Sequence, residues 1–95
     1  MKKSYEMIVC EDGFKMSVQA SSRNYSEPRN DIGPYSAVEI GFPTSPESLI
    51  LRYAEQPEKP TESVYGWVPS ELVWDVILKH GGVVSGELPP LVMGG

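Results

Sequence analysis

The residue types best suited to chemistry cluster between Ser21 and Tyr35, in the run Ser-Ser-Arg-Asn-Tyr-Ser-Glu-Pro-Arg-Asn-Asp-Ile-Gly-Pro-Tyr. This stretch holds two of the chain's three arginines, two asparagines, two tyrosines and a single aliphatic residue, Ile32. Arg23 and Arg29 present planar forks that match phosphate or carboxylate. Tyr25 and Tyr35 offer ring faces for a base or sugar, while Asn24, Asn30 and Asp31 can hydrogen-bond ring edges and hydroxyls. Together they suit capture of a small, anionic, nucleotide-like ligand. An ordinary surface loop uses the same Asn, Asp, Gly, Pro and Ser, with its arginines paired to Glu27, Asp31 or the acidic surface. On the residues alone both readings stand. A structureless connection of this length in a small domain is uncommon and tends to be functional or disordered.

Reactive side chains are sparse elsewhere. Cys10 and His80 are each the only residue of their type, so a zinc site would lack ligands, and no metal or cofactor is expected. A Cys10–His80 dyad would require a hairpin edge to meet a helix end, with no third group evident to orient it. The expectation is a buried or edge Cys10, and a His80 that interacts with the terminal carbonyls of its helix. Glu11 and Asp12 fall in a turn, and nothing marks them as an acid/base pair. No glycine-rich phosphate motif occurs. The chain is therefore expected not to be an enzyme. Tyr65-Gly66-Trp67 is a separate feature: the expectation is that one ring lies in the core and the other on the opposite face, free to pack or to stack on a partner.

The elements that would position these groups follow from spacing. Residues 5–10 and 14–20 read as two strands, the second with Phe14, Met16, Val18 and Ala20 on one face. Asp12-Gly13 between them predicts a tight antiparallel hairpin. Residues 36–42 form a third strand, closed by Pro43. Residues 49–54 read as a strand that pairs with 64–68, although Ser45-Pro46-Glu47 also resembles a helix start. The helix at 69–80 is the clearest element, with Pro69 at its beginning, Glu71 in its first turn, Lys79 and His80 in its last, and Gly81-Gly82 beyond. Leu72, Val73, Val76 and Ile77 form its core stripe, and Glu71, Asp75 and Lys79 a narrow polar seam. Trp74 and Leu78 lie outside that stripe and need another cover, either a second subunit or the tail; the subunit is the preferred reading, which makes them a candidate oligomer or partner interface. The tail at 83–95 contains Pro89-Pro90, which forbids a helix, and reads as extended or flexible. The predicted fold is α+β: an antiparallel sheet of about four to five strands backed by one C-terminal helix.

Composition sets the outer bounds. Ninety-five residues make a single domain, and nine prolines with nine glycines imply a loop-rich fold. A formal charge of −5 argues against direct nucleic-acid binding, which needs clustered cations. A lone cysteine fits a reducing compartment. The opening Met-Lys-Lys-Ser-Tyr-Glu has no apolar segment behind it, and no stretch reaches the length of a membrane span. The expectation is a cytoplasmic protein that does not engage a membrane.

The segments Met16-Ser-Val-Gln-Ala-Ser21, Pro28-Arg-Asn-Asp-Ile-Gly-Pro-Tyr35, Val38-Glu-Ile-Gly-Phe-Pro43, Tyr53-Ala-Glu55 and Val64-Tyr-Gly-Trp-Val-Pro69 loosely resemble small proteins encoded by bacteriophages and their hosts, mostly without an assigned role. The resemblance implies a phage-type accessory protein that blunts host defence by binding, in the host cytoplasm. Joined to the arginines and tyrosines of 21–35, it suggests a homo-oligomer that sequesters a nucleotide-like, phosphate-bearing signal. The alternative is an anti-CRISPR-like inhibitor that engages a host immune nuclease through an acidic and aromatic surface.

Overall fold

The computed structural model describes residues 4–92. Among them, five strands form one antiparallel sheet in the order β4-β3-β2-β1-β5. The strands are β1 (Ile8–Cys10), β2 (Lys15–Gln19), β3 (Ala37–Gly41), β4 (Val64–Pro69) and β5 (Val83–Ser85), with one helix, α1 (Ser70–Lys79), between the last two. The first four strands are a meander. Because β4 and β5 occupy opposite edges, α1 must carry the chain from one edge to the other, and its apolar stripe is buried on the way. The α+β fold expected from the sequence is the one observed.

Local chemistry explains the best-defined pieces. In β2, alternation places Met16 and Val18 in the core with Phe14 and Ala20, while Lys15 faces solvent. The Asp12-Gly13 turn closes the hairpin: Gly13 takes φ +92°, and the Asp12 carboxylate accepts the Phe14 N–H at 2.9 Å. At the end of α1, the Gly82 N–H donates to the Ile77 carbonyl at 2.9 Å and the Gly81 N–H to that of Leu78 at 3.2 Å. This paired arrangement is the left-handed glycine termination that satisfies otherwise orphaned carbonyls. Val73, Val76 and Ile77 are buried as predicted and Leu72 partly so, joined by the hydroxyl-bearing Ser70. Pro69 ends β4 and serves as the N-cap, so the helix starts one residue later than the sequence suggested.

One expectation is corrected and another narrowed. Residues 49–54 are not a strand: Leu51–Tyr53 form a 3-10 turn, and only Ala54 bridges to Tyr65. The Glu47 carboxylate accepts the Leu49 N–H at 3.0 Å, a side-chain turn that bends the backbone away from extended geometry. Of the two forms open to the tail, the extended one holds at 83–85 and again at Leu91. Val83–Ser85 pair with β1, and Leu91 bridges to Tyr35. The terminal 93–95 lie outside the described residues.

Tyr65 and Trp67 do end on different sides of the sheet, for a reason beyond simple alternation. Residues two apart in a regular strand share a face. Here Gly66 and Trp67 together oppose the single Glu39 in a bulge between the Val38–Val68 and Ile40–Tyr65 pairs, and Trp67 adopts φ +52°. Tyr65 is buried and Trp67 is 51% exposed.

Candidate functional site

The 21–35 connection is held in shape by its own polar groups. The Ser26 hydroxyl, buried, bonds the carbonyls of Ser21 and Pro28 at 3.1 Å each. Glu27 pairs through its backbone with Ala37, which fastens the connection to the start of β3. Glu39, on β3, accepts the Tyr25 N–H at 3.0 Å and the Asn24 side-chain amide at 3.2 Å.

This framing divides the seven residues that the sequence grouped as ligand-binding. Tyr35 lies in the core, 1% exposed. Its hydroxyl donates to the Asn30 carbonyl at 2.8 Å, and its backbone pairs with Pro90 and Val92. Burial pushes its phenol pKa above the ordinary value. The Asn30 side-chain oxygen accepts the N–H groups of Ile32 and Gly33 at 3.0 and 2.9 Å. Asp31 accepts the Ser22 N–H at 2.9 Å, a bond that together with nearby Arg23 holds its carboxyl pKa low. Asn24 is engaged by Ser21 and Glu39. These four side chains build and anchor the loop.

Of the three that remain, Arg29 and Tyr25 come together and the structure adds Trp67 to them, whereas Arg23 lies near Asp31. The Tyr25 and Trp67 rings stack with centroids 4.8 Å apart and planes 25° apart. The Arg29 guanidinium lies over the Tyr25 ring, 5.6 Å from its centroid, within the range of a cation–π contact. The Trp67 N–H donates to the Tyr25 carbonyl at 3.1 Å, so backbone and rings are joined at one place. Tyr25 lies directly over Gly66, whose Cβ, if present, would sit in van der Waals contact with the Tyr25 side chain at 3.4 Å. Among the described residues neither Arg23 nor Arg29 enters an ion pair. Sequence spacing could not join Trp67 to Tyr25, since the bulge that turns Trp67 outward depends on register with β3.

The interface suggested by Trp74 and Leu78 is divided as well. Trp74 is partly buried against the core of the single chain, whereas Leu78 is 73% exposed. The Trp74 indole N–H is buried and has no hydrogen-bond partner among the described residues.

A second cluster escaped the sequence altogether. His80 does not turn back to its helix carbonyls. Its Nδ1 lies 2.6 Å from Asp12 Oδ2 and its Nε2 2.6 Å from Glu47 Oε1. Phe14 stacks on the imidazole at 4.0 Å, with planes 10° apart. Glu47, with its side chain 1% exposed, also meets Lys79 Nζ at 2.8 Å. Burial opposes charge on His80, but the hydrogen bonds and charges of Glu47 and Asp12 outweigh it and raise its pKa. Burial likewise opposes charge on Glu47, and bonds from Lys79, Leu49 and His80 overcome it to lower that pKa. Cys10, by contrast, is a buried free thiol whose pKa is raised, chiefly by burial, which removes it as a nucleophile at neutral pH. No group of three or more His, Cys, Asp or Glu among the described residues is placed to hold a metal.

A shallow hollow of about 170 Å³ lies at the start of α1, lined by Ser36, Pro69, Ser70, Glu71 and Val92. It includes none of the arginines or exposed aromatics.

Fold and surface define a small α+β protein that displays a cation–aromatic stack. No protein-family model matches the chain, and no curated protein or solved structure is similar to it. No helix among the described residues is long and apolar enough to cross a membrane.

Proposed function

We propose that this is a non-enzymatic binding protein that captures a phosphate-bearing, nucleotide-like ligand on the surface built from Tyr25, Trp67 and Arg29. The observation that carries the reading is the arrangement of Arg29 over Tyr25 with Tyr25 stacked on Trp67. Every base has a π-face, so exposed aromatic rings accept nucleobases. An unpaired guanidinium beside them supplies the fork for phosphate. The left-handed backbone at Trp67 strengthens the case. A non-glycine residue in that region costs about 1–2 kcal/mol, and strain of this kind concentrates at functional sites.

An open shelf covers only one side of a small ligand, whereas small-molecule sites enclose most of it. A second copy of the chain, facing the first, would supply the missing wall; this is the oligomer anticipated from the sequence. Acting against a host defence signal, as the phage resemblance implies, is the biological form of this reading.

The openness of the shelf favours one other reading, a protein partner such as a defence nuclease. Trp, Tyr and Arg are the residues that dominate protein interfaces, and a half-exposed Trp67 suits one.

Thermal melting with cyclic nucleotides and ADP-ribose derivatives separates the two. Ligand at one hundred times its dissociation constant stabilises the native state by about 2.7 kcal/mol, roughly 10 °C or more for a domain of this size. One ligand is expected to give that shift, and Arg29→Ala to abolish it while leaving the unliganded midpoint nearly unchanged. A flat panel rejects nucleotide capture. Loss of nuclease inhibition in Trp67→Ala would then establish the protein-partner reading.

A further inference from the structure

The Asp12–His80–Glu47 bridge joins three parts of the chain that are remote in sequence: the β1–β2 turn, the segment before the 3-10 turn, and the end of α1. Both ring nitrogens face carboxylate oxygens at 2.6 Å. A neutral imidazole has only one N–H to donate, so it can satisfy one of these contacts and must set a lone pair against the other carboxylate. Only the imidazolium donates to both. With it, the charges of Asp12, Glu47, Lys79 and His80 cancel.

We propose that His80 is a proton-operated clamp: with two protons it ties both the β1–β2 turn and the Glu47 segment to the end of α1, and on losing one it releases the turn while keeping the segment. The order of release follows from burial. Glu47 is 1% exposed, and its Oε1 would be stranded without a donor if Nε2 lost its proton. Asp12 is 51% exposed, so water can replace the imidazole there. The remaining proton therefore stays on Nε2.

The surroundings place no other charge against the ring strongly enough to reverse this. On the turn, Glu11 packs by its Cβ where a Gly81 side chain would project, and the charges that bear on the ring are those of Asp12 and Glu47. On β1, Cys10 is buried and its thiol is kept protonated by burial and by the Asp12 charge. On α1, Lys79 is paired to Glu47 Oε2. Phe14 covers one ring face and carries no charge.

The release is local. Backbone bonds from Glu11 N–H to the Gly82 carbonyl (3.0 Å) and from Asp12 N–H to the His80 carbonyl (3.2 Å) still hold the turn near the helix end. The clamp thus governs how firmly the hairpin tip is seated, and leaves the sheet in place.

The chain has one histidine, so NMR of its ring nitrogens in the intact protein, titrated from about pH 5 to pH 9, reports this group alone. Below the midpoint both nitrogens are expected to be protonated, and that midpoint should lie above the ordinary 6.5. The Gly13 and Phe14 amides should shift with that same midpoint, and the Leu49 amide, bonded to Glu47, should not. A midpoint at or below 6.5, a stationary Phe14 amide, or a Leu49 amide that moves with the ring would overturn the clamp. A second measurement compares melting midpoints of wild type and His80→Gln. The wild-type midpoint should fall as pH rises through the His80 titration, while the variant's stays level; parallel profiles would also overturn it. Should His80→Gln fail to fold, the wild-type titration decides.

Discussion

Tyr25 and Trp67 are joined twice, by a 3.1 Å backbone hydrogen bond and by rings stacked at 4.8 Å. Forty-two positions apart in sequence, they meet because β4 bulges at the point where the 21–35 connection passes its outer edge. The contact also closes that edge, which would otherwise offer an unpaired N–H for aggregation. At the other end of β4, the Glu55 N–H bonds to the Val64 carbonyl at 3.0 Å.

Replacing Trp67 by glycine separates binding from stability. Glycine relieves the strain of φ +52°, about 1–2 kcal/mol, but gives up the buried half of the indole and a ring stack worth about 0.5–1.5 kcal/mol beyond that area. The relief offsets part of the loss. Denaturant unfolding should therefore show Trp67→Gly more stable than Trp67→Ala, which keeps the strain, while any ligand-induced rise in melting midpoint is lost in both.

Glu39 should control the order of the loop. Its carboxylate accepts from Tyr25 and Asn24, and hydrogen bonds to a charged acceptor are each worth about 1.5–3 kcal/mol. Glu39→Gln turns one acceptor oxygen into a donor facing a donor. The expected result is a stability loss of roughly 1–3 kcal/mol in denaturant unfolding. Amide exchange at Tyr25 should quicken well beyond that in β2.

Gly81 is required for two reasons. It has φ +93°, and a Cβ there would lie 2.8 Å from the Glu11 Cβ. Gly81→Ala should therefore cost more than the roughly 1 kcal/mol of an unfavourable backbone alone, and Gly82→Ala less, since its Cβ would meet nothing within 4 Å. Melting of the two single variants tests the order.

Stability should depend on pH from both sides. Glu47 and Asp12 have lowered carboxyl pKa values in the folded protein, so the stability they add is present above the unfolded values near 4 and is lost as pH falls through the folded ones. His80 is raised; its contribution is complete below 6.5 and disappears as pH climbs through its folded value. Melting midpoints across pH should peak between these limits. Glu47→Ala, which leaves Nε2 of the largely buried His80 without its acceptor, should cost roughly 1–3 kcal/mol in denaturant unfolding.

The sequence by itself determined what depends on neighbours a few positions away. Alternation in Phe14–Ala20 chose the buried face of β2, Asp12-Gly13 made the hairpin turn, and Gly81-Gly82 stopped the helix, each through backbone preferences that act within one turn or one strand. The segment at 49–54 resisted such rules because its conformation answers to Glu47, whose carboxylate is drawn into the interior by Lys79 and His80. Only the tertiary structure decided that His80 would meet partners 33 and 68 residues distant, and that Tyr35 would be core while Trp67 stood beside Tyr25. Those pairings depend on sheet register and on the path of α1 across the sheet, and such long-range geometry leaves no periodic trace along the chain.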